Sequence, residues 1–82
     1  MPVMRITVAA VSDEGDVVVV WGRPEHAPGD REPMGFAFLA KGDQAGVGLA
    51  ERASRLARGS EVIIDYAPVA TGWNLARGLS AS

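Results

Sequence analysis

Five β-rich runs and a single amphipathic stretch, in the order β-β-β-α-β-β, constrain this chain more than any other feature. Residues 4–11, 17–22, 34–41, 61–66 and 73–79 are strand-like, and only residues 44–58 repeat apolar positions at helical spacing. With 82 residues the chain has room for one domain, 1–82, and no more.

In the first run Ile6, Val8 and Ala10 share one face by period-two alternation. The segment 12–16 is a turn, where Glu14-Gly15 can supply the positive φ of a tight hairpin. The second run is apolar on both faces, which requires cover on both sides. Residues 23–33 carry Pro24, Pro28 and Pro33 and read as a polar loop. In the third run Met34, Phe36 and Phe38 fall opposite Gly35, Ala37 and Leu39. Asp43 is the expected N-cap of a helix over 44–58, whose Ala45, Leu49, Ala50, Ala53, Leu56 and Ala57 fall within an arc of about 140°. Gly46 and Gly48 favour a late start, and Gly59 is the expected C′ residue. Val62 and Ile64 share a face of the fourth run, and Pro68 marks 67–72 as a turn before the fifth. This order predicts a mainly β fold with one helix, a five-stranded OB-like β-barrel.

Composition narrows the function. Net charge is -2, so the cation excess on which phosphate-backbone binding depends is missing overall. There is no cysteine and a single histidine, His26, which leaves only carboxylates as metal ligands; neither metal nor cofactor is expected. No apolar run approaches the length of a membrane span, and residues 1–5 lack a secretory pattern, so a cytoplasmic location is the default expectation, or a secreted one for a chain relieved of its leader.

Residues 49–53 and 59–66, followed by Gly72-Trp73-Asn74-Leu75, resemble the second half of the OB-fold subunits of bacterial AB5-type toxins. The resemblance lies in topology and spacing over most of the chain. It implies a ring-forming barrel with the helix between the third and fourth strands, a pore lined by helices and barrel faces that bind glycans. No glycan-binding residue is matched, and the chain lacks the disulfide common in those subunits.

Candidate ligand-binding residues are Trp21, Arg23, His26, Phe36, Phe38, Tyr66 and Trp73. Residues 34–39 echo the pattern of RNA-binding sheets in which aromatics stack on bases, but without its leading Lys or Arg. The plainer reading places Phe36 and Phe38 in the core. Trp21, Tyr66 and Trp73 serve as platforms if exposed and as anchors if not. His26 lies among Arg23, Glu25, Asp30, Arg31 and Glu32, where a histidine near carboxylates suits a general base, but no hydroxyl nucleophile is near it in sequence. Interface candidates are Val18 and Val20 on the doubly apolar strand, Val47 outside the helix's apolar arc, and Arg55, which shares its helix side with Arg52 and Arg58.

The reading is a non-enzymatic binding and assembly module, a homo-oligomer (ring or dimer) presenting a loop or sheet face to a glycan or a protein. The alternatives are a single-stranded nucleic-acid binder, which the acidic 13–16 turn disfavours, and a small enzyme using His26.

Overall fold

The computed structural model describes residues 3–25, 33–40, 48–70 and 73–81. The strands are β1 (Val3–Asp13), β2 (Val17–Pro24), β3 (Met34–Leu39), β4 (Glu61–Ala70) and β5 (Trp73–Ala81), with α1 (Leu49–Ser54) between β3 and β4. They close into a barrel in the order β1-β2-β3-β5-β4. Neighbours are antiparallel except β3 and β5, which run parallel over three residue pairs, Gly35–Trp73 to Ala37–Leu75. The expected five-stranded OB-like architecture is therefore the observed one.

The β1–β2 turn forms as its residues dictate. Gly15 takes φ 89°, its N–H donates to Asp13 Oδ1 at 3.0 Å, and the Glu14 N–H donates to the Val17 carbonyl at 2.9 Å. The alternation along β1 breaks, however. Val8 pairs with Gly22 but Ala10 pairs with Trp21, so Ala9 is an extra residue, a β-bulge. Ala10 consequently points outward and is exposed, against the expectation that it would follow Ile6 and Val8 inward; Val11 turns toward the core in its place.

The interior is filled from all five strands: Ile6, Val8, Val20, Phe36, Phe38 and Ile64 are at most 1% exposed, and Ala76 of β5 is 2% exposed. Gly22 makes room for this packing. A Cβ there would stand 2.2 Å from Ile6 Cδ1 and 3.0 Å from Ile6 Cβ. Leu49, Ala50 and Ala53 of α1 join the same cluster and plug one end.

The described helix is shorter than the apolar periodicity predicts. Gly48, at φ 68°, stands at its N-cap; the expected cap Asp43 and residues 44–47, Val47 included, lie outside the described residues. At the other end α1 stops at Ser54, whose hydroxyl bonds back to the Glu51 carbonyl at 2.7 Å. Beyond it the chain is taken up by β1: the Gly59 N–H donates to the Val8 carbonyl and the Val8 N–H to the Ser60 carbonyl, both at 2.8 Å. Leu56 still packs on the core, half-buried, but Ala57 is exposed. Gly59 keeps its expected positive φ, 90°, as part of this turn rather than next to the helix. Arg52 donates through Nη2 to the Leu79 carbonyl at 2.9 Å, tying helix to β5.

β4 also departs from expectation, running on through Pro68 to Ala70 where a turn over 67–72 was predicted. Its pairing with β1 ends at Asp65, while pairing with β5 continues to Ala70. Past Asp65 the described pairing of β4 is with β5 alone, so Pro68 lies on an edge, where a sheet tolerates proline.

Gly22→Ala should destabilise the barrel by about 1–3 kcal/mol, the cost typical of overpacking a fitted core. Urea denaturation followed by far-UV circular dichroism measures it; a midpoint equal to wild type would show that Ile6 does not occupy the space above Gly22.

Candidate functional site

Period-two alternation that sends Val18, Val20 and Gly22 inward leaves Val17, Val19, Trp21 and Arg23 on the outside of β2. On β3 the same rule turns Phe36 and Phe38 in and Gly35, Ala37 and Leu39 out; on β5 it turns Asn74 and Ala76 in and Trp73 and Leu75 out. The ladder registers align these positions in rows across the barrel wall. One row is Ala10, Trp21, Gly35 and Trp73; the next is Ser12, Val19, Ala37 and Leu75; in a third Val17 stands beside Leu39. The result is a continuous apolar outer face on β2, β3 and β5.

Trp21 lies across Gly35: a Cβ on that glycine would be 2.9 Å from Cζ3 and 3.2 Å from Cη2 of the indole. The Trp73 ring leans against Trp21, with centroids 5.5 Å apart and planes at 56°. Trp21 is half-buried by these contacts, whereas Trp73 keeps 40% of its surface exposed. Underneath, Asn74 is buried and donates from Nδ2 to the Gly35 carbonyl at 3.2 Å, holding β5 to β3 where the parallel pairing begins.

Charge sits at the ends of the face. Beyond Trp21, Arg23 is exposed on β2, and Arg5 on neighbouring β1 is ion-paired with Glu25 at 3.2 Å. At the opposite end the turn is acidic, and exposed Glu14 accepts a hydrogen bond from the Ser12 hydroxyl at 2.6 Å.

The structure brings together three of the sequence candidates, Trp21, Arg23 and Trp73, and places Phe36, Phe38, Tyr66, Val18, Val20 and Arg55 elsewhere. Phe36 and Phe38 are fully buried, so neither can stack on an external ligand; they face into the barrel because β3 turns its odd-numbered residues outward. Val18 and Val20, expected at an interface, are 3% and 0% exposed; the outward face of β2 belongs to Val17 and Val19 instead. Tyr66 is half-buried and meets Phe36 edge-on at a centroid distance of 5.5 Å. Arg55 is exposed and paired with Glu51 at 2.7 Å on the helix, away from the tryptophans. His26 and Val47 lie outside the described residues. Gly35, Ala37 and Leu75 were not candidates; their signal was their placement at alternate positions to buried neighbours, next to an aromatic.

No protein-family model, curated protein or solved structure matches the chain. Among the described residues no group of three or more His, Cys, Asp or Glu side chains is placed to hold a metal ion, and no helix is long and apolar enough to cross a membrane. A separate open cleft of about 230 Å³ lies between the β1–β2 turn and α1, bordered by Asp13, Val18, Ala50, Glu51 and Ser54. The polar groups there are already engaged: Ser54 by the Glu51 carbonyl, the Glu51 carboxylate by Arg55, Asp13 by the Gly15 N–H.

Gly35→Ala should push the Trp21 ring off the sheet. The expected result is a red-shifted tryptophan emission together with a loss of about 1–3 kcal/mol, as for other overpacked sites. An emission spectrum and urea midpoint identical to wild type would show that the ring does not rest on this glycine.

Proposed function

We propose that the chain is a non-enzymatic binding and assembly module that self-associates through the outer face of β2, β3 and β5. The observation that carries this reading is Trp73, a large aromatic with 40% of its surface exposed, next to Trp21 on an otherwise apolar wall. Aromatic anchors of this kind supply much of the energy of protein–protein contacts, because they remove a large area from water at little rotamer cost. An 82-residue barrel has a thin core, and association is a common route by which so small a domain gains stability.

Single-stranded nucleic acid is the second reading, favoured by the same tryptophan pair, since bases stack on exposed indoles. The acidic Asp13-Glu14-Gly15-Asp16 turn at the end of this wall weighs against it by repelling phosphates.

Light scattering at tens of micromolar should give wild-type protein a mass above the 8.6 kDa of one chain. Trp73→Ala should return it to one chain with its circular dichroism spectrum unchanged. A wild-type mass of one chain with no concentration dependence removes the assembly reading. A labelled oligothymidine that binds at low salt and is released by Trp73→Ala replaces it with the nucleic-acid reading.

A further inference from the structure

We infer that the occupant of the apolar outer face is a second copy of this chain, packed across it about a two-fold axis with the β2 strands antiparallel. The inference rests on the assembly reading above and adds the partner's orientation.

Two properties of the face make it complementary to itself. The first is charge. Along the β1–β2 hairpin the face runs from Arg23 at one end, past Trp21 and Val19, to Glu14 at the other. A two-fold in the plane of contact and perpendicular to the strands reverses that direction. It sets Arg23 of each copy toward Glu14 of the other, so two opposite-charge contacts form at once. An isologous contact of this type closes on itself and stops at two.

The second property is shape. The same reversal lays the row holding Trp21 and Trp73 over the partner's row of Val19, Ala37 and Leu75, bulky rings onto smaller side chains. Val19, at 8% exposed, sits low in that row. A two-fold parallel to the strands would instead turn Trp21 onto the partner's Gly35, which the partner's own Trp21 already covers. It would also bring Glu14 toward Arg77, which is exposed on β5 two residues past Leu75.

The area sets the strength. Three strands about 4.8 Å apart and three rows about 6.7 Å apart give a footprint on the order of 300 Å². That is little more than a third of the roughly 800 Å² per partner typical of a stable specific complex, so the dimer exchanges with its monomer and its population follows concentration.

A charge exchange tests the arrangement. Glu14→Arg puts a cation where the partner's Arg23 arrives, and Arg23→Glu puts a carboxylate where the partner's Glu14 arrives. Each variant alone should scatter as one chain under conditions where wild type scatters above 8.6 kDa, and an equimolar mixture of the two should recover the wild-type mass. Circular dichroism of each confirms the fold before mixing, and recovery on mixing is itself a result that unfolded protein cannot give. Single variants that keep the wild-type mass, or a mixture that stays monomeric while wild type assembles, overturn the arrangement and leave the assembly reading standing on Trp73→Ala. Recovery by pairing Glu14→Arg with Arg77→Glu assigns the other axis and overturns it too. A wild-type mass of five chains overturns it in favour of a ring, and a wild type that stays monomeric removes the inference and the assembly reading together.

Discussion

The barrel depends on the backbone of β1 near Val8, where one strand has to serve two neighbours. Ahead of this point β1 pairs with β4; beyond it β1 pairs only with β2. The Val8 N–H and carbonyl reach the 59–60 segment, which extends the β4 side of the ladder by one step, and the bulge at Ala9 follows immediately. The bulge increases local twist and bends the strand, which a ring of only five strands requires in order to close. Ile6, just before the bend, lies over the bare backbone of Gly22. The position where α1 gives way to β4 follows from the same contacts, because Gly59 and Ser60 are held to β1.

Closure also decides what is left outside. The strands bring more apolar surface than a five-stranded interior can enclose. Phe36, Phe38, Val18 and Val20 fill the inside, with α1 across one end. Trp21, Trp73, Leu75, Ala37 and Leu39 stay on the wall. They are partly shielded by one another, and Trp73 remains the least shielded. The wall reaches its present form only through the short parallel contact of β3 with β5, which Asn74 reinforces from within. The interior and the outer face are thus two consequences of one alternation.

Much of this was legible in the linear chain. Strand order, the Glu14-Gly15 hairpin, the inward pair Phe36 and Phe38, the inward pair Val62 and Ile64, and the contribution of Leu49, Ala50 and Ala53 to the core all follow from local rules. Period two belongs to the pleat, period 3.6 to the helix, and positive φ to glycine. Those rules act over a few residues, and the sequence alone was sufficient wherever they were uncontested. The doubly apolar character of β2 likewise signalled that its outer face would need cover, although which valines formed that face was misread at Val18 and Val20.

The rest was decided by pairing between distant segments. A bulge cannot be read from β1 alone, because it is a mismatch of count between two strands; hence Ala10 was placed on the wrong side. Helical periodicity continues past Ser54, but hydrogen bonds to Val8 hold residues 59–60 in a turn. Pro68 marks a turn by local preference, yet it continues a strand because only the side facing β5 needs its hydrogen bonds. The tryptophan pair shows this most clearly. Trp21 and Trp73 lie far apart in the chain, and Gly35, which gives Trp21 its seat, belongs to a third strand. Their meeting depends on the register of β2 with β3 and of β3 with β5, which chain closure sets and no single segment encodes.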